Sequence, residues 1–297
     1  MHLRWLKLAA SINLLSSPLR PSQVQTRTLM VRVLCYGDSL TAGFCSGGMH
    51  FEPYSRAMQS TLVECGCESP RVSACGLSGL TAEEMVANVD SGYVVDVCRT
   101  HKKGLRTMMA EQGLPDLVLI MAGTNDFAYQ RSIGVILQDI ITLHEVCHEL
   151  GVRTIALAPP SSNQQARKNL SMRLRVWAKR NPDVLAFIDP ESDIVPRYMQ
   201  ECWEADNVHL SPYGYQTLGR ELAMVVMAKF DDCVVEEGSS AFNLIKEVSG
   251  HLGRKRAKVQ HALYALSGRT ERKDRKSLGA KIRSRTTGLL RTLRRED

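Results

Sequence analysis

The sequence predicts an α/β protein built on a doubly wound, mainly parallel sheet. Two observations carry that expectation. Strand-type segments alternate along the chain with segments of helical length and period. The strand segments include continuous apolar runs, as expected of strands covered on both faces. In such a sheet the ligand crevice lies outside the carboxyl ends of the strands, so chemistry is sought just after each strand.

The elements follow in order. VRVLCY (31–36) is a short β-branched run ending at Gly37. PYSRAMQSTLVECG (53–66) places Met58, Leu62 and Val63 at helical spacing and stops at Gly66. RVSAC (71–75) is a second strand. TAEEMVANV (81–89) opens with Thr81 and carries Glu84 three residues later, a capping-box start. Residues 90–115 read as an insertion without a defined element. LVLIMAG (117–123) is a buried strand, 132–150 a helix ended by Gly151, and VRTIALAPP (152–160) a strand stopped by two prolines. A helix at about 163–181, a strand VLAFID (184–189) and a last helix from near Pro212 to about Phe230 complete the series.

Composition bounds the rest. The chain has 297 residues, 44% hydrophobic and 23% charged, which suits one soluble globular domain with appendages. The net charge of +7 is uneven. From Asn243 onward there are 16 basic and 5 acidic residues, a net of +11, so the preceding body carries −4. The expected partition is an N-terminal extension or targeting segment (1–30), a main α/β domain (31–235) and a basic tail, partly helical or disordered (236–297). Residues 1–37 hold no acid and five Arg or Lys, a composition shared by organellar transit peptides and plain extensions. The longest apolar run, LAMVVMA (222–228), falls short of the ~20 residues that cross a bilayer. Nine cysteines, odd in number and without a CxxC, point to free thiols in a reducing, intracellular setting.

Polar and glycine clusters follow the strands. Gly37-Asp38-Ser39-Leu40 follows the first, Gly76-Leu77-Ser78-Gly79 the second, and Gly123-Thr124-Asn125-Asp126 the third. Asp206-Asn207-Val208-His209 lies in a loop before the last helix, able to fold back over the same sheet end. Acyl transfer needs these residue types. A hydroxyl nucleophile such as Ser39 needs an adjacent base, which His209 can supply, and a carboxylate, Asp206, to orient the imidazole. The oxyanion of a tetrahedral intermediate needs preorganised donors; the N–H groups of Ser39 and Gly79 and the amide of Asn125 are suited to that.

These blocks, GDSLTAGF, SGLT, GTND and DNVHLSPYG, resemble those of the SGNH hydrolases, also called the GDSL lipase/esterase family. The resemblance spans about 31–230. It implies a three-layer α/β/α sandwich with a flavodoxin-like sheet, and ester or thioester hydrolysis without a metal or other cofactor. It places the nucleophile on Ser39, the oxyanion donors on Ser39, Gly79 and Asn125, and the acid–base pair on Asp206 and His209. Small-molecule, lipid or sugar esters are the implied substrates. The stretch 90–115 is longer and more polar than the resemblance leads one to expect.

Two other functions compete. HEVCHELG (144–151) puts His144, Glu145 and His148 on one helical face, as in zinc peptidases. The position of a third histidine in the longer form of that motif holds Thr154, which the pattern places inside a strand. The basic tail supports an interaction protein instead. Apolar residues at 244, 248, 252, 259, 263 and 266 recur near helical spacing, and the charge suits an anionic membrane or nucleic-acid phosphates.

Overall fold

The computed structural model describes residues 31–231. The expectations for 1–30 and for the basic tail fall outside the described residues.

In chain order, β1 (Arg32–Gly37) leads to α1 (Ser39–Ala42), a small hairpin of β2 (Phe44–Cys45) and β3 (His50–Phe51), and α2 (Tyr54–Glu64). β4 (Arg71–Gly76) is followed by α3 (Ala82–Ala87), a second hairpin of β5 (Val94–Val95) and β6 (His101–Lys102), and α4 (Leu105–Gln112). Next come β7 (Leu117–Met121), α5 (Thr124–Ala128), α6 (Ile133–His148), β8 (Arg153–Leu157) and α7 (Gln164–Arg180). β9 (Val184–Ile188), α8 (Pro190–Asp193) and α9 (Pro212–Asp231) close the described chain.

The central sheet has the order β4-β1-β7-β8-β9, and every neighbouring pair is parallel. The chain therefore starts near the middle, steps to one edge, then crosses back and winds the other way. That is the flavodoxin-like order, with its switch point between β1 and β7. The register levels the strand ends: Gly37 pairs with Gly76 on one side and Met121 on the other.

Side-chain alternation along β1 defines the layers. Val33 and Cys35 point into a core with Tyr54, Met58 and Leu62 of α2 and Leu218, Leu222 and Val226 of α9. Leu34 and Tyr36 point into the opposite core, with Met85 of α3, Leu105 and Met109 of α4, Ile136, Ile140 and Leu143 of α6, and Leu170 and Leu174 of α7. The result is a three-layer α/β/α sandwich. β7 faces both cores and is buried at all five positions, which explains its uninterrupted apolar sequence. Each such buried Leu or Ile stabilises by about 1.5–3 kcal/mol relative to exposure.

The sheet end is tightly closed. A Cβ on Gly37 would lie 2.0 Å from the Met121 carbonyl oxygen, and one on Gly76 would lie 2.1 Å from the Ala42 backbone nitrogen. Only glycine lets α1 sit this close to the ends of β1 and β4.

The stretch 90–115 is structured after all. It holds the β5–β6 hairpin and α4, and α4 packs Leu105, Met108 and Met109 inward. Its N-cap is Gly104, without a side-chain hydrogen bond, so the usual start signal is missing. No helix among the described residues is long and apolar enough to cross a membrane.

Candidate active site

Ser39 is the first residue of α1. The N-cap is Asp38, whose Oδ1 accepts the Leu40 N–H at 3.0 Å. Asp38 is fully buried, and its Oδ2 also accepts the Thr124 N–H at 3.3 Å. One carboxylate thus ties the loop after β1 to the loop after β7. Burial raises its pKa to about 6, against the pull of hydrogen bonds from Leu40 and Thr124 and of the His209 charge.

The loop after β4 is tied in as well. The Leu77 N–H donates to the Gly37 carbonyl at 2.8 Å, and the Asn125 side-chain amide donates to the Leu80 carbonyl at 2.9 Å. That bond uses one of the two Nδ2 protons and leaves the other for a ligand. Ala82, at the start of α3, donates its N–H to buried Asp126 at 2.8 Å. Thr81 and Glu84 form both halves of the capping box that the sequence predicted.

Gly79 has φ +80°, which favours glycine. A Cβ there would meet the Val97 side chain at 2.5 Å. Val97 belongs to the 90–115 stretch, which is stitched to this loop. The Ser78 N–H donates to Asp96 Oδ2 at 3.2 Å, and the Val97 N–H donates to the Ser78 carbonyl at 3.1 Å. Among the described residues, the N–H groups of Ser39 and Gly79 have no hydrogen-bond acceptor.

The loop before α9 folds over this end of the sheet. His209 Nε2 lies 2.8 Å from Ser39 Oγ, and His209 Nδ1 lies 2.6 Å from Asp206 Oδ2. Asp206 Oδ1 accepts the N–H groups of Val208 at 2.8 Å and His209 at 2.9 Å. Partial burial opposes ionisation of Asp206. The hydrogen bonds from the His209 ring and from the two N–H groups outweigh it and hold the carboxyl below its usual range. The loop is braced as a narrow turn: Trp203 pairs with Leu210, and the Glu204 N–H donates to the His209 carbonyl at 2.9 Å. Ser39, Asp206 and His209 are thus brought into contact, with Gly79 on the loop after β4 and Asn125 in the first turn of α5.

Sequence reasoning missed two members of this site. The Phe44 ring packs on the His209 ring with centroids 4.6 Å apart, and Tyr215 donates its hydroxyl to the Phe44 carbonyl at 3.0 Å. A lone Phe in a two-residue strand gives no signal of that contact. Asp38 did carry one, since Asp before a helix is a favoured cap.

The HEVCH helix lies elsewhere. His144 is buried, its Nδ1 2.7 Å from Thr154 Oγ1, and His148 Nε2 lies 3.0 Å from the same oxygen. The Trp177 ring packs on His144 at 5.0 Å. Burial lowers the His144 pKa to about 3, helped by neighbouring His148. Thr154 is at the start of β8, the end of the sheet away from Ser39. Both rings converge on a hydroxyl, and no group of three metal-ligating side chains occurs among the described residues. This geometry gives the peptidase expectation no support.

Comparison with known proteins agrees with the fold. Solved structures that match include a carbohydrate acetylesterase family member from Sinorhizobium meliloti (TM-score 0.51, 22% identity, 67% of this chain and 99% of that one). TesA matches at TM-score 0.52 and 16% identity, over 67% of this chain and 99% of that one. The psychrotrophic esterase EstA from Pseudoalteromonas sp. matches at TM-score 0.51 and 14% identity, over 68% of this chain and 98% of that one. At these identities the likeness concerns the fold. Among curated proteins, none matches. The family model described as GDSL-like Lipase/Acylhydrolase matches residues 35–217, more than half of the chain. The chain therefore belongs to the GDSL-like lipase/acylhydrolase family of carboxylic ester hydrolases.

Proposed function

We propose that the protein hydrolyses carboxylic esters through a Ser39-His209-Asp206 triad and an acyl-enzyme intermediate. One observation carries this reading: the unbroken chain of contacts from Ser39 Oγ to His209 Nε2 at 2.8 Å and from His209 Nδ1 to Asp206 Oδ2 at 2.6 Å. Ser39 Oγ attacks the carbonyl carbon while its proton passes to His209 Nε2. Asp206, kept ionised, accepts the Nδ1 proton as a hydrogen bond and stabilises the imidazolium. The N–H groups of Ser39 and Gly79 and the free Nδ2 proton of Asn125 receive the oxyanion. Collapse of the tetrahedral intermediate breaks the ester C–O bond, and His209 gives its proton to the leaving alcohol. Water then attacks the acyl-enzyme, its proton goes to His209, and the second collapse returns Ser39 with its hydroxyl.

The substrate is a small-molecule, lipid or sugar ester. No step needs a metal or organic cofactor. The catalytic domain is residues 31–235, with the basic tail as a separate appendage. The test is hydrolysis of p-nitrophenyl esters from acetate to palmitate by wild type, Ser39→Ala and EDTA-treated wild type. Activity lost in Ser39→Ala alone is the expected result. Activity lost only with EDTA would return the chemistry to His144 and His148.

A further inference from the structure

The peptide between Asn207 and Val208 is gripped on both sides. Its N–H, on Val208, donates to Asp206 Oδ1 at 2.8 Å. Its carbonyl, on Asn207, accepts from Arg197 Nη1 at 2.8 Å. Asn207 has φ +56°, the left-handed conformation that Asn adopts more readily than other non-glycine residues, and its side-chain amide donates to the Ala205 carbonyl at 3.2 Å. Nothing in the sequence marks Arg197, which stands ten residues away.

Arg197 is itself well anchored. Nη2 donates to Glu191 Oε2 at 2.8 Å and to the Ser161 carbonyl at 3.3 Å. The guanidinium lies 3.6 Å from the centroid of the Trp203 ring, and Trp203 is fixed by its indole N–H donating to the Val195 carbonyl at 3.1 Å. Glu191 is buried, and Arg167 Nε lies 3.4 Å from the same Oε2. Arg167 is buried as well, and its Nη1 donates to both carboxylate oxygens of Asp189, just past β9, at 2.8 and 2.9 Å. Ser171 donates to Asp189 Oδ2 at 2.6 Å. A line of charges, buried at Arg167, Asp189 and Glu191 and half-buried at Arg197, thus runs from α7 past the end of β9 and through α8 to the loop that carries Asp206 and His209.

We propose that Arg197 is the positioning residue of that loop: by locking the Asn207–Val208 peptide it sets the Asp206 carboxylate against His209. This rests on the triad reading above. The physical argument is direct. A charged donor on a peptide carbonyl polarises the unit and strengthens its N–H as a donor to Asp206. The planar fork of Arg bonds Asn207 and Glu191 together while stacking on Trp203, which a Lys cannot do. The same side chain reaches the Ser161 carbonyl, beside the Pro160 carbonyl that accepts the Thr124 hydroxyl at 3.2 Å. Arg197 therefore braces the loop of Asp206 and His209 against the segment that steadies the loop of Asn125.

The test compares wild type, Arg197→Met, Arg197→Lys and Ser39→Ala. Readouts are kcat and KM on p-nitrophenyl acetate, the rate of Ser39 labelling by a fluorophosphonate, and thermal unfolding. A misplaced general base costs turnover, so Arg197→Met should lose kcat by about 10- to 100-fold with KM held within about 3-fold. The labelling rate should fall by a similar factor, and Arg197→Lys should recover part of both. Folded Arg197→Met with kcat and labelling within about 2-fold of wild type would overturn the proposal. Should Arg197→Met not fold, Arg197→Lys decides: reduced kcat at unchanged KM supports it, and wild-type kcat overturns it. Activity surviving in Ser39→Ala would overturn the triad itself and this inference with it. An inactive Ser39→Ala beside a fully active Arg197→Met removes only the role of Arg197.

Discussion

Asp126 accepts the backbone N–H of Ala82 at 2.8 Å while also accepting from Arg131 Nη1 at 2.6 Å. A wholly buried carboxylate on α5 therefore holds the first turn of α3, and Arg131 in turn reaches Asp139 and Glu83. Asp126→Ala would strand the Ala82 N–H and take from the mostly buried Arg131 guanidinium its shortest carboxylate contact, leaving it Asp139 and Glu83. It should cost about 2–4 kcal/mol of stability, measured by urea unfolding. Because α3 starts just past Gly79, the folded fraction should also lose activity. A stable and fully active variant would contradict the linkage.

Asn125→Ala removes the amide that Leu80 orients. A donor that acts on developing charge supports the transition state and not the bound ester. The expected result is kcat lower by about 10²–10³-fold with little change in KM. Steady-state kinetics on a p-nitrophenyl ester decide it; a raised KM at constant kcat would assign Asn125 to substrate binding instead.

Asp38 gives a pH signature of unusual sign. Its folded pKa of about 6 lies above the ~3.9 of an unfolded Asp, so the folded state binds the proton more tightly. Below about pH 4 both states are protonated and the group costs nothing. Between about pH 4 and 6 the unfolded state ionises first, and stability is lost as pH rises; above about 6 the full cost is present. Asp206 runs the other way: its depressed pKa gives stability that is complete above the unfolded value and lost only as pH falls further. Asp38→Asn should therefore gain on wild type by about 2–3 kcal/mol as pH rises from about 4 to 7, read from urea midpoints at each pH. A constant difference would mean the carboxyl is not destabilised by burial.

His144→Ala separates structure from chemistry in the HEVCH helix. The change empties space beside Trp177 and leaves the buried Thr154 hydroxyl with His148 as its remaining ring partner. Unfolding should become easier by about 2–4 kcal/mol, while kcat of the folded enzyme stays near wild type. Loss of kcat at full stability would point back to a catalytic role for this helix.

What the sequence could reveal tracks where each signal comes from. The helices α2, α6, α7 and α9 were legible because a buried face prints a period into ten or more residues, and the strands β1, β4, β7, β8 and β9 because sheet burial leaves β-branched or continuous apolar runs closed by Gly or Pro. The one-turn helices α1, α5 and α8 and the two hairpins have neither a period nor an apolar run and are held by loop hydrogen bonds such as those of Asp38 and Asp96. α4 has Leu105, Met108 and Met109 at helical spacing but begins at Gly104, which advertises no cap. At the site, residues inside the four blocks could be named because chemistry restricts their type. Phe44 and Arg197 could not, since their importance comes from what they touch, 165 and ten residues along the chain.

The contact between Ser39 and His209 closes a separation of 170 residues, and the strands β4, β7, β8 and β9 of the central sheet must all be laid down in between. On the proposed roles, the nucleophile leaves the ribosome early and its base only after every strand of the sheet. A growing chain thus carries an inert serine until almost the whole domain has emerged, and no half-made copy can cleave an ester. Turnover is for the same reason a stringent reporter of completed folding: it should vanish in denaturant together with the global transition and not before it.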